Sequence, residues 1–162
     1  MSAADEADRW FSQADADLAA ARDNAEDHPH VACFLAQQAA ETALKGAQLR
    51  QSGVTSRTHS LSQLNTMLRG LGCSLDAVSR QGIRNLERMY TETRYPDVLP
   101  DATPAEYFTT EDAREAIQQA EAIVTIAREL RQPEQKGTEA HQTQKVVRKE
   151  KPGNDPDLGR GR

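Results

Sequence analysis

The chain is poor in aromatic residues: phenylalanine, tyrosine and tryptophan make up only 4% of its 162 residues. A hydrophobic core must therefore be built mostly from alanine, leucine, isoleucine and valine. β-Sheets prefer aromatic and β-branched side chains, whereas alanine and leucine are strong helix formers. The composition thus argues against a sheet protein and predicts an all-α fold.

Cysteine is also scarce. Cys33 and Cys73 are the only two, and their spacing matches neither a CxxC motif nor a metal site. Free thiols in a reducing cytoplasm are the simplest interpretation. We therefore expect a cytoplasmic protein with no bound metal.

Long hydrophobic runs are absent, and the mean hydropathy is −0.75. No segment approaches the roughly 20 apolar residues that a membrane-spanning helix needs. The first ten residues, MSAADEADRW, are acidic and unlike a signal peptide. These features predict a protein without a membrane partner.

Basic residues are outnumbered, with 20 Lys and Arg against 25 Asp and Glu. Residues 1–131 hold 13 basic and 20 acidic side chains, whereas residues 132–162 hold 7 and 5. An acidic body argues against broad binding to nucleic acid, so we expect no DNA partner, but it leaves room for one local basic site. Residues 132–162 are polar, with little to bury, and predict a disordered tail after a domain of residues 1–131.

The most informative stretch is VACFLAQQAAETALKGAQL, from Val31 to Leu49. On a helix, its polar residues Gln38, Glu41 and Lys45 share one narrow stripe with Phe34, and the remaining surface is small or apolar. So wide an apolar arc needs several neighbours, which predicts the central helix of a helical bundle. The Glu41–Lys45 spacing fits either an ordinary ion pair on a solvated face or part of a functional site.

Four further helices are predicted around it. They span about Ala4 to Ala25, Ser60 to Gly70 or Gly72, Leu75 to Thr93, and Thr110 to Arg131. A structured loop should connect the last two.

Two local patterns accompany these helices. Ser60 and Gln63 have capping-box spacing at the start of the third helix. Arg80, Arg84 and Arg88 form a basic ridge on the fourth, which is either solvated and paired with acids or a docking surface for phosphate or an acidic partner.

Five motifs follow one another in a recognisable order. They are Trp10-x3-Ala14-x3-Leu18, CFLAQQAAETALK, THSLSQL from Thr58 to Leu64, Y-x3-RYPD from Tyr90 to Asp97, and Tyr107 followed by Asp112, Ala113 and Ala120. In this order they resemble the HEPN domain family of prokaryotic helical-bundle proteins. The resemblance covers roughly Arg9 to Arg131.

The resemblance implies an antiparallel, up-down bundle of about five helices that commonly forms a homodimer. Many members are partners of a small nucleotidyltransferase in two-component, toxin–antitoxin-like systems, and some bind nucleotides. Others are metal-independent RNases with an Arg-x4–6-His motif. In that chemistry the histidine is the acid or base near the 2′-hydroxyl, and the arginine offsets charge on the phosphorane.

The RNase motif is poorly matched in this chain. The one literal match, Arg22 to His28, lies at the end of the first helix, whereas the family's motif lies late in the bundle. No histidine follows Arg94 at the spacing of the RNase motif, and RYPD occupies that region instead. The sequence therefore favours a non-catalytic binding module without a cofactor. The alternative is an RNase, with His59 and Arg94 as the candidate catalytic residues.

One set of polar residues is not needed to build a compact core, and we predict that these residues bind a ligand. The set is Gln38, Glu41, Lys45, His59, Tyr90, Arg94 and Tyr95. If the second and fourth helices pack antiparallel, Arg94 can pair with Glu41 while Lys45 or His59 faces a cleft. Such a cleft suits a nucleotide or an RNA end. The alternative is a buried polar network that only fixes helix register.

Overall fold

The structure, a computed structural model, describes residues 1–131, and this part contains α-helices and no strand. The helices are α1 (Ala3–Asn24), α2 (Pro29–Ser52), α3 (Leu61–Gly70), α4 (Arg80–Glu92), α5 (Pro104–Tyr107) and α6 (Thr110–Glu129). The predicted all-α bundle is confirmed. In the described part no helix is long and apolar enough to cross a membrane. The predicted tail, residues 132–162, lies outside the described residues.

The predicted central helix is α2, which packs against all five other helices. Its alanines are buried on several sides, so neighbouring helix axes can approach closely. α1 approaches closely at Gly46, where an added Cβ would lie 3.0 Å from the Cβ of Trp10. Trp10 itself is half-buried at this contact.

Three helices form the main layer of the bundle. α1 runs antiparallel to α6, because Arg128 contacts Asp15 at 2.7 Å while Arg114 contacts Glu26 at the other end. α2 ends beside the end of α6, where the Arg50 guanidinium donates to the carbonyl oxygens of Ala127 and Arg128.

α3 and α4 form an antiparallel pair on α2. Residues 54–59 return along α2 in an extended path, so α3 begins beside the middle of α2 and runs parallel to it. The pair is joined by Ser62, whose Oγ donates to Glu87 Oε2 at 2.8 Å. This return segment positions the start of α3 against the stripe of α2.

Two predicted details are wrong. α4 begins at Arg80 and not at Leu75, because Ser79 caps it by accepting from the Gly82 amide at 3.0 Å. Ser60 does cap α3, but the Gln63 side chain accepts from Thr58 Oγ1 at 2.6 Å and does not reach back to the Ser60 amide. The structured loop after α4 contains a 3-10 turn, Pro96–Val98, and α5.

Candidate functional site

The site is built on Glu41, a carboxylate with only 5% of its surface exposed. Three donors satisfy it: Lys45 Nζ at 2.7 Å, His59 Nδ1 at 3.0 Å and Gln37 Nε2 at 3.2 Å. A buried charge is tolerated only when it is paired and hydrogen-bonded. The interpretation of this stripe as a solvated face with an ordinary surface pair is therefore wrong.

Lys45 is as deeply placed as its partner, with 8% of its surface exposed. It is the single lysine among residues 1–131, where every other basic side chain of the Lys and Arg class is an arginine. The ammonium group of this lysine thus lies inside the fold, against Glu41.

His59 is held on two sides. Its Nδ1 faces Glu41, and its ring stacks on the ring of Tyr90 with centroids 4.5 Å apart and planes inclined by 13°. About half of its side chain remains exposed. With Nδ1 engaged by the carboxylate, Nε2 is the ring nitrogen left for a ligand.

Arg94 lies at the outer edge of the same cluster, among three aromatic rings. Its guanidinium carbon is 4.3 Å from the ring centroid of Tyr90, 5.0 Å from that of Tyr95 and 5.1 Å from that of Phe34. Its Nε donates to the Tyr90 carbonyl oxygen at 2.7 Å. Within residues 1–131 it has no carboxylate partner, so its terminal N–H groups are available to an anion.

The predicted Arg94–Glu41 pair does not form. The return segment inserts His59 between the two, so Glu41 bonds to His59, His59 stacks on Tyr90, and Arg94 packs on the Tyr90 ring. α2 and α4 do run antiparallel and pack directly on each other, as the prediction required, but at Glu41 the His59 side chain takes the place expected for Arg94.

The structure brings all seven predicted site residues into one continuous group. Gln38 joins through Gln37, which accepts from Gln38 Nε2 at 2.6 Å. Neither Gln37 nor Phe34 was among the predicted site residues. Gln37 is one turn before Glu41, and that i, i+4 spacing could have identified it.

Other candidates do not join the site. Arg22 pairs with Glu121, and His28 lies exposed before α2, so their RNase-like spacing forms no common site. Both cysteines are buried and free. Burial, followed by the nearby Asp112 carboxylate, raises the pKa of the Cys33 thiol to about 12, which makes it a poor nucleophile. No cluster suited to a metal ion occurs in the described part of the chain.

The net charge of the segment around the site is positive, whereas that of residues 1–131 as a whole is negative. Residues 54–95 contain six arginines and three carboxylates, although residues 1–131 as a whole are acidic. The α3–α4 pair therefore presents a positive surface next to Arg94. A cavity of about 630 Å³ opens elsewhere, between α1 and α2 near Trp10 and Thr42. None of the predicted site residues lines it.

Comparison with known proteins gives one family. The HEPN domain model matches residues 7–130. The solved structure of TT1696 from Thermus thermophilus is 31% identical, with a TM-score of 0.63, and the match covers 76% of this chain and 96% of TT1696. ST0689, an archaeal HEPN homologue, is 34% identical with a TM-score of 0.58, over 76% of this chain and 95% of ST0689. No curated protein matches the sequence significantly.

Proposed function

Because the chain belongs to the HEPN domain family, we propose that it is a binding module that holds a nucleotide on the face formed by His59, Tyr90 and Arg94. One observation carries the proposal. Arg94 is exposed, is oriented by three aromatic rings, and has no carboxylate partner among residues 1–131. An arginine in such surroundings is prepared to bind a phosphate with two parallel hydrogen bonds.

The aromatic rings supply the second half of nucleotide recognition. Tyr95 is 48% exposed, so its ring can stack on a base. His59 offers Nε2 as a hydrogen-bonding group beside it. The buried Glu41–Lys45 pair beneath holds the histidine in place, so the face is largely formed before a ligand arrives.

A group of exposed large side chains lies next to this face. The loop after α4 exposes Tyr95, Val98 and Tyr107, which are large and apolar or aromatic. We propose that the chain forms a homodimer and acts as the partner subunit of a small nucleotidyltransferase, in a two-component, toxin–antitoxin-like system. The exposed loop is the proposed contact surface, because aromatic residues are enriched at such interfaces.

Nucleotide titration tests the ligand. ATP and GTP should each be titrated into the full-length protein by calorimetry, with thermal denaturation alongside, since a ligand that binds only the folded state raises the melting temperature. Arg94→Gln should remove most of the binding. Arg114→Gln is the matched control, because Arg114 is also exposed but is paired with Glu26 and contacts none of the proposed site residues in the described part. Unchanged melting temperatures with both nucleotides would overturn the nucleotide proposal.

Co-expression tests the partner. We expect a small nucleotidyltransferase to be encoded beside this gene and to co-elute with the full-length protein in size-exclusion chromatography. Tyr107→Lys, together with Val98→Lys, should weaken that complex, and Arg114→Gln should leave it intact. Separate elution of the two wild-type proteins at micromolar concentrations would contradict the partnership.

One observation favours a second function, that of a metal-independent RNase. His59 bonds through Nδ1 to a buried carboxylate, which is how enzymes fix a histidine that works as acid or base through its other nitrogen. Arg94 would then offset charge on the phosphorane. RNA incubated with the protein in EDTA should be cleaved under this alternative, and His59→Ala or Arg94→Ala should abolish cleavage. Intact RNA after long incubation would exclude it.

A further inference from the structure

A small cavity of about 200 Å³ lies between α3 and α4, away from Arg94. Three arginines line it, Arg69 on α3 and Arg80 and Arg84 on α4. The other lining residues include side chains that form hydrogen bonds, namely Ser62, Asn65 and Thr66. The cavity is therefore concave, positively charged and polar.

The three arginines have no carboxylate partner within residues 1–131, and all three are exposed. Arg88, one turn further along α4, differs because it pairs with Glu92 at 3.7 Å. Like charges that line one cavity repel each other, so this arrangement is unfavourable until an anion enters.

The start of α4 adds to this repulsion. Arg80 occupies the first turn, which contains no acidic residue, whereas α1, α5 and α6 all carry acids in their first turns. A helix N-terminus carries partial positive charge, so an arginine there is disfavoured and an anion is favoured. The three arginines and the N-terminus of α4 thus both favour the binding of an anion in the cavity.

The cavity is aligned with the Arg94 face. α3 and α4 run antiparallel, with Ser62 opposite Glu87 and His59 opposite Tyr90. Arg80 and Tyr90 are ten residues apart on one helix, which corresponds to about 15 Å. The Glu87 carboxylate between them is engaged by Ser62. The α3–α4 seam therefore connects two positive sites.

We propose that this cavity is a second phosphate site, which binds a backbone phosphate of a single-stranded oligoribonucleotide whose end lies at Arg94. The placement of the RNA end at Arg94 depends on the proposed function, whereas the phosphate site in the cavity does not. Asn65 favours a strand with ribose hydroxyls, because its Oδ1 is shielded from solvent and has no hydrogen-bond partner in the described part. A 2′-hydroxyl can donate to that oxygen once the Asn65 side chain rotates to expose it to the cavity, while guanidinium groups bind the phosphate.

Oligonucleotide binding by the full-length protein tests the proposal. A labelled single-stranded RNA of about six nucleotides and ATP should each be titrated into wild type, Arg69→Gln/Arg84→Gln and the control Arg88→Gln/Arg114→Gln. The cavity variant should bind the RNA about tenfold more weakly, with a salt slope reduced by about 0.7 for each lost phosphate contact. Its affinity for ATP should not change. The control removes the same charge from paired arginines and should bind both ligands like wild type.

The outcomes separate the two proposals. RNA binding by the cavity variant that equals wild type overturns the second phosphate site. Failure of ATP to bind, with RNA binding still weakened in the cavity variant alone, overturns the nucleotide proposal and supports the cavity. A DNA strand of the same sequence should bind more weakly, and an acidic peptide of equal charge that displaces the RNA equally well overturns the nucleic-acid assignment. Thermal denaturation of each variant, with single substitutions if the double variant melts early, controls for folding.

Discussion

At the scale of single residues, the site depends on one carboxylate with three donors. Glu41 could be singled out from the sequence, because a charged residue on a helix with so wide an apolar arc must meet a partner. Lys45 could be assigned to it from spacing alone. His59 could not, because its contact with Glu41 depends on the path of residues 54–59, which no local pattern encodes.

Lys45→Met should destabilise the protein by about 3 kcal/mol, because it leaves a buried carboxylate without its cation while preserving side-chain length. Urea denaturation measures the loss. Arg114→Met is the control: it breaks an exposed pair with Glu26 and should cost less than about 1 kcal/mol. Equal losses in the two variants would contradict the buried role of Lys45.

The buried Cys33 thiol should make stability depend on pH in alkaline solution. Its pKa is raised from 9.0 to about 12, so between these values the folded state retains a proton that the unfolded state releases. The free energy of unfolding therefore falls as pH rises above 9, by roughly 1 kcal/mol at pH 10. Cys33→Ser should show a shallower fall in urea denaturation between pH 8 and 10. Parallel curves for the two proteins would refute this.

At the scale of helices, the long amphipathic elements could be predicted from periodicity, and their order followed from the motifs. The start of α4 could not, because Leu75 and Val78 continue the apolar pattern through a turn that precedes the Ser79 cap. α5 was missed as a helix because a single turn between prolines has no period to detect. Helix existence is encoded locally, whereas these boundaries depend on capping and on packing.

Two glycines in helices should respond oppositely to the same substitution. Gly46→Ala should destabilise the protein by about 1 kcal/mol net, because the new Cβ would lie 3.0 Å from Trp10 Cβ and would separate α1 from α2. Gly70→Ala should stabilise it by about 0.5 kcal/mol, since nothing lies within 4 Å and alanine is the better helix former. Thermal denaturation compares them, and a stabilised Gly46→Ala protein would show that α1 adjusts freely.

At the scale of the whole molecule, charge is divided between layers. The α1, α2 and α6 layer is acidic, and the α3–α4 pair is basic. The net charge of the chain argues against a nucleic-acid surface. It could not reveal this division, because only the fold brings the arginines of α3 and α4 together on one surface. Most members of the candidate site could thus be predicted, with Gln37 and Phe34 as exceptions, whereas its connection to the positive cavity between α3 and α4 could not.

We expect residues 1–131 to fold without the segment that follows. The end of α6 is held within this range, because Arg50 donates to carbonyl oxygens of Ala127 and Arg128, and Gln51 donates to that of Leu130 at 3.0 Å. A chain that ends at Arg131 should melt cooperatively, within a few degrees of the full-length protein. A large drop in its melting temperature, measured by circular dichroism, would place part of the domain after residue 131.

The seclusion of Lys45 has a practical consequence for amine chemistry. An acylating reagent finds one lysine in residues 1–131, and Glu41 covers it at 2.7 Å, while the sequence supplies four more lysines after residue 131. Slow modification of Lys45, followed by mass spectrometry, therefore measures how often the buried Glu41–Lys45 pair opens to solvent. The native chain carries its own reporter of that opening, and no foreign label has to be introduced.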